Sequence, residues 1–166
     1  KGLIRSREVA RALKFSVLAP NCIVLVKPFR SWKPLFVSEM TAAIEALALE
    51  TNDGGPAILI GTPWIEEDRL HNSQVLLDQG KVVAARHKYD LPNYGVFDEK
   101  RIFDPGPLPG PINFKNVRIG VPICEDVWTP DVVECIAETG GELLLVPNGS
   151  PFEVGKSDMR IHHAVA

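Results

Sequence analysis

The sequence is poor in cysteine, has no large excess of charge of one sign and lacks long apolar runs. Its three cysteines, Cys22, Cys124 and Cys135, are an odd number at irregular spacing. That argues against a disulfide framework and fits a reducing, cytoplasmic setting. No Cys/His spacing resembles a zinc site. Lys and Arg number 18 against 21 Asp and Glu, a formal net charge of -3, with no basic stripe, so nucleic acid is not an expected partner. No apolar run approaches the roughly 18 residues that cross a membrane. Between Lys1 and Pro20 there is no apolar stretch followed by a small-residue cleavage site, so no signal peptide is read. Repeats and low-complexity segments are also missing.

The rest is ordinary for a globular protein: 166 residues, 45% hydrophobic and 23% charged. That length suits one domain with a buried core. The two ends are unusual. Lys1 has no Met before it, Arg5-Ser6-Arg7-Glu8 is a poor opening strand, and 157–166 reads as a helix cut off in mid-pattern. Both features suggest a fragment or a misread start.

Between the ends, strand and helix patterns alternate. Ile23-Val24-Leu25-Val26 is a short strand-like run. Trp32 to Glu50 has helical spacing, with Phe36, Met40, Ala43, Ile44, Leu47 and Leu49 as its apolar positions. The 51–56 segment, rich in Gly, Asn and Asp, stops it. Ala57 to Gly61 reads as a buried strand closed by Thr62-Pro63, and Ser73–Asp78 and Lys81–His87 as two strands joined at Gln79-Gly80. Asp90 to Asn116 is a long Pro- and Gly-rich loop whose aromatics, Tyr94, Phe97, Phe103 and Phe114, favour order. Val117 to Ile123 is a strand ending at Cys124. Pro130 to Thr139 is a helix between an N-terminal Pro and Gly140-Gly141, and Leu143 to Val146 a fully buried strand. The alternation implies an α/β fold.

Cys124 stands where an apolar strand gives way to Glu125-Asp126, a usual place for reactive groups in α/β folds. Most free cysteines are small buried hydrophobes, and locally the two readings weigh equally. Cys135, on an amphipathic helix, and Cys22 read as structural. None of the four histidines, His71, His87, His162 and His163, sits in a Cys/His nucleophile signature. Lys88, at a strand end before the long loop, could hold a thiolate and an oxyanion. A solvated surface lysine is the simpler local reading.

Three blocks carry a resemblance. They are His87-Lys88-Tyr89-Asp90-Leu91-Pro92-Asn93-Tyr94-Gly95-Val96-Phe97-Asp98-Glu99-Lys100-Arg101-Ile102-Phe103, Gly120-Val121-Pro122-Ile123-Cys124-Glu125-Asp126-Val127-Trp128, and Val146-Pro147-Asn148-Gly149-Ser150-Pro151-Phe152 with Gly155-Lys156. In this order they resemble the nitrilase-type glutaminase domain of glutamine-dependent NAD+ synthetases, a carbon–nitrogen hydrolase, over about Ile23 to Ala166. The first 22 residues read as a divergent or misread start.

The resemblance implies a nitrilase-like α-β-β-α sandwich, incomplete at both ends, and a Glu-Lys-Cys triad. Cys124 would be the nucleophile on the side-chain amide of L-glutamine. Lys88 and a backbone N–H beside Cys124 would hold the oxyanion. Tyr94, Glu125, Trp128, Ser150 and Lys156 fall where the family contacts glutamine, Glu125 suiting the α-ammonium and Lys156 the α-carboxylate. The ammonia would pass to a C-terminal synthetase domain that uses ATP and Mg²⁺. No cofactor is expected on this chain, which has no Ser-Gly-Gly segment for ATP. Self-association is expected by resemblance alone. Val24 to Phe29 matches the stretch that follows the family's Pro-Glu-Leu segment, yet no Glu stands upstream of it where the triad needs one. Lys14 is near that position; Glu8 is too early and Glu39 too late. Two other readings stay open: a carbon–nitrogen hydrolase acting on another amide or nitrile, and a non-catalytic nitrilase-like module. Strand edges left open at the chain's end would make it aggregation-prone.

Overall fold

A computed structural model describes residues 15–18, 34–95, 97–149, 158 and 161. The expected strand at 23–26, the residues 1–14 around the missing Glu, Cys22, His162 and His163 lie outside them. Helix α1 spans Pro34–Glu50. Val37, Ile44 and Ala48 are its buried positions, and Phe36 and Leu49 are exposed. The apolar stripe is therefore rotated from the expected one, because the 3.6-residue period runs through Val37 and Ala48 instead. Gly54, at φ 77, ends the turn that follows.

The first sheet contains β1 (Phe15–Leu18), β2 (Ala57–Glu66), β3 (Arg69–Asp78) and β4 (Lys81–His87), in that spatial order. β1 runs parallel to β2, with Phe15 opposite Ala57 and Leu18 opposite Ile60. No strand was expected at 15–18. β2 and β3 form a long antiparallel pair from Ile58↔Leu77 to Glu66↔Arg69. Thr62-Pro63 does not end β2, contrary to expectation. Among the described residues, pairing with β1 runs to Ile60 and Pro63 pairs only with β3, where its missing N–H is tolerated. The expected β3–β4 hairpin forms, with Gln79 at φ 51 and Gly80 at φ 78. These are the signs of a type I′ turn, whose twist matches that of the strands. Glu67 and Asp68 turn β2 into β3 with the same signs, at φ 49 and 60.

The second sheet has the order β5 (Ile112–Phe114), β6 (Val117–Gly120), β7 (Leu143–Leu144). β5 lies inside the stretch read as loop. It pairs antiparallel with β6 through Lys115 and Asn116, again both at positive φ. β6 ends at Gly120, short of the expected Ile123, although Val121 to Ile123 stay buried. β7 is shorter than expected and not fully buried: Leu143 and Leu145 face the core, whereas Leu144 and Val146 are exposed. Helix α2 is Pro130–Glu138, as the flanking Pro and Gly pair implied.

The layers follow from the two faces of the first sheet. One face carries Val75 and Leu77 under Ile44 and Ala48 of α1. The other carries Ala57, Leu59 and Leu76 against Ile112, Phe114, Ile119 and Val121 of the second sheet. Helix α2 closes the far side, where a Cβ on Gly120 would meet Ile136 Cγ2 at 2.5 Å and Leu144 Cδ2 at 2.7 Å. The order is helix, sheet, sheet, helix, as the resemblance implied. Among the described residues no helix is long and apolar enough to cross a membrane.

Candidate active site

Lys88 follows β4 and has no exposed surface, so it is not a solvated surface lysine. Its backbone still belongs to the sheet: its N–H donates to Asn72 O at 2.8 Å, and its carbonyl accepts from Gly106 N–H at 2.8 Å. Gly106 is required there, because a Cβ would lie 2.5 Å from His87 Cβ and 2.9 Å from the His87 carbonyl oxygen. A buried ammonium needs a counter-charge. Glu99 supplies it, accepting from Lys88 Nζ at 2.8 and 2.9 Å through its two oxygens. Asn72 Nδ2 donates to the same carboxylate at 3.1 Å. Glu99 was part of the first sequence block but had no role assigned. Its place eleven residues past Lys88, in a loop that folds back, is visible only in three dimensions.

Cys124 is also buried. It sits at φ 51, where a side chain with a Cβ costs about 1–2 kcal/mol. A tight turn holds it there. Asp126 N–H donates to Ile123 O at 3.1 Å, and Cys124 N–H to Pro147 O at 2.9 Å. The thiol donates to Asn148 Oδ1 at 3.2 Å. Asp126 has no exposed surface. Its Oδ1 accepts Asp90 N–H at 2.7 Å and Tyr89 N–H at 3.1 Å, and its Oδ2 accepts Ile123 N–H at 3.0 Å. One carboxylate thus joins the segment after Lys88 to the residue before Cys124. Burial pushes its pKa up to about 6, against the pull of those N–H groups and the Lys88 charge. Sequence reasoning missed both Asp126 and Asn148; neighbours of the singled-out Cys and Glu gave no separate signal.

Beside the thiol, Tyr94 is 57% exposed, and its hydroxyl donates to both Glu125 oxygens at 2.9 Å. Desolvation, then the hydrogen bond to Glu125, then the charges of Glu125, Cys124 and Asp90 raise its pKa to about 12. The expected pair Tyr94 and Glu125 therefore meets in the fold, with Cys124 close enough to be felt. Trp128 is half-buried one turn on. Ser150 and Lys156 lie outside the described residues.

A second polar cluster lies behind Lys88. His87 Nδ1 meets Ser73 Oγ at 2.7 Å, its Nε2 meets Glu66 Oε2 at 2.7 Å, and its ring stacks on His71 at 4.3 Å. Ser73 is wholly buried, with its hydroxyl held by His87. Among the described residues no group of three or more His, Cys, Asp or Glu side chains is arranged to hold a metal ion.

A sequence profile described as carbon-nitrogen hydrolase matches residues 7–166. The chain belongs to the carbon–nitrogen hydrolase family. Over 128 residues it is 46% identical to a glutamine-dependent NAD(+) synthetase of Rhodobacter capsulatus, a match covering 77% of this chain and 23% of that protein. The chain thus spans about a quarter of the length of such relatives. Among solved structures it is similar to the glutamine-dependent NAD+ synthetase of Acinetobacter baumannii, at TM-score 0.70 and 26% identity, covering 96% of this chain and 30% of that one. A carbon-nitrogen hydrolase from Helicobacter pylori G27 shares the fold at TM-score 0.67 and 23% identity, over 98% of this chain and 58% of that one.

Proposed function

We propose that this chain is the part of a glutamine-dependent NAD+ synthetase that hydrolyses the side-chain amide of L-glutamine. The observation that carries this reading is the Asp126 carboxylate, which ties the Lys88 segment to the Cys124 turn beside Tyr94 and Glu125. The relatives' names supply the substrate class. Cys124 Sγ attacks the amide carbon, and Lys88 with a backbone N–H stabilises the oxyanion. Cys124 N–H itself donates to Pro147 O; by resemblance to the family, the second oxyanion donor is the backbone N–H next to Cys124. The C–N bond breaks, and the thiol proton ends on the departing ammonia. Water then cleaves the glutamyl thioester, giving glutamate and restoring the thiol. Glu125 takes the substrate's α-ammonium in place of the Tyr94 hydroxyl, and Lys156 its α-carboxylate, with Trp128 and Ser150 as further substrate contacts. ATP and Mg²⁺ belong to the synthetase domain that would receive the ammonia, and not to these residues. The setting is cytoplasmic.

The missing triad Glu favours a second reading, a nitrilase-like module without catalysis. Intact-mass labelling with an electrophilic glutamine analogue separates the two, with Cys124→Ala as control. A single adduct, absent from the control, is the expected result. Folded protein that stays unlabelled would sink the glutaminase reading for this chain and leave the module.

A further inference from the structure

The proposed chemistry uses Lys88 and Cys124 but says nothing of what keeps them in register. They come from segments that leave different sheets: Lys88 follows β4, and Cys124 follows the buried extension of β6. Loss of a fraction of an ångström between such groups is felt in rate. Asp126 is the buried acid that bonds to both segments. Its Oδ1 takes two successive N–H groups, Tyr89 and Asp90, directly after Lys88. Its Oδ2 takes Ile123 N–H, directly before Cys124. Its own N–H closes the turn that keeps Cys124 left-handed. Asp90 adds an outer arm, its Oδ2 accepting Thr129 Oγ1 at 2.9 Å at the start of α2.

We propose that Asp126 is a positioning residue: its carboxylate clasps the two sheets so that the Lys88 ammonium faces the Cys124 thiol, with the Asp90–Thr129 bond as its outer arm. This rests on the glutaminase reading only for the identity of the substrate. A carboxylate suits the place because all three partners are N–H donors, and Asn would turn an NH₂ towards one of them. The charge acting on Asp126 is that of Lys88, which is itself paired with Glu99, and on the thiol side Glu125, Cys124 and Asp90 act on Tyr94. A merely structural acid would support the fold without setting the reactivity of Cys124.

The test is the pH profile of Cys124 alkylation by iodoacetamide, read by peptide mass, in wild type, Asp126→Asn, Lys88→Met and the double variant. Iodoacetamide needs no glutamine pocket, so this readout is independent of the substrate assignment. A thiol facing an ammonium ionises below the ordinary value of about 8.5. Asp126→Asn is expected to raise the midpoint and slow alkylation at pH 7 by about tenfold, the equivalent of one pH unit. Lys88→Met should do the same, and the double variant no more than either. An unchanged midpoint in folded Asp126→Asn, or in Lys88→Met, overturns the proposal. If Asp126→Asn does not fold, Thr129→Val opens the outer arm. A midpoint that rises there supports the clasp, and one that stays overturns it. Failure of the substrate reading looks different: wild type is alkylated with the lowered midpoint but ignores the glutamine analogue.

Discussion

At the scale of single residues, the site is defined by charges that the fold encloses. Lys88 and Glu99 form a buried pair with little exposure on either side. Such a pair adds little net stability, but removing one member leaves a lone charge in the interior. Glu99→Gln is therefore expected to destabilise the chain by about 3–5 kcal/mol, read by urea denaturation. A loss below 1 kcal/mol would mean that Lys88 finds another partner or is reached by water. Lys88 was singled out in the sequence, but its partner was not. A lysine at a strand end looks the same whether solvated or buried until the loop that covers it is folded. Cys124 was equally undecided, since nothing in Ile-Cys-Glu announces a left-handed backbone.

Among the elements, the three hairpins show what local sequence can and cannot reveal. Gln79-Gly80 was legible because Gly prefers the left-handed region. Glu67-Asp68 and Lys115-Asn116 adopt the same geometry without glycine, so neither carries a turn signal, and β5 lies inside a stretch that reads as a loop. In both cases strand pairing outweighs the local cost of positive φ. Asp68 is exposed, at φ 60. Asp68→Gly is expected to stabilise by roughly 0.5–1 kcal/mol, because it relieves the strain at that position. Thermal unfolding would show a higher Tm; a lower one would mean that the Asp68 side chain supports the turn.

For the molecule as a whole, Asp126 couples stability to pH. Its pKa is about 6 in the fold against 3.8 without it. An acid raised in this way favours the folded state fully below pH 3.8, and that contribution is lost as pH rises to about 6 and beyond. The loss is on the order of 3 kcal/mol, at about 1.4 kcal/mol for each pH unit. Other carboxylates act in the opposite direction, so the quantity to measure is the difference between wild type and Asp126→Asn. Unfolding free energies from pH 4 to 7 should show wild type losing ground to the variant as pH rises. A constant difference would contradict the raised pKa. A carboxylate that costs stability near neutrality, yet sits between Lys88 and Cys124, fits a site kept for chemistry.

The class of fold, the main strands and helices, and the blocks that hold Lys88, Tyr94, Cys124 and Glu125 are legible along the chain. Apolar periodicity, Gly and Pro at element ends, and short motifs are local properties, and local properties can be read along a chain. Which face of α1 is buried, the continuation of β2 through Pro63 and the pairing of Glu99 with Lys88 emerge from packing. So do the bonds by which Asp126 joins the segment after Lys88 to the residue before Cys124. Each of these depends on groups from distant segments competing for the same interior, where an unpaired charge or N–H is costly and partners are chosen by geometry rather than by order in the chain.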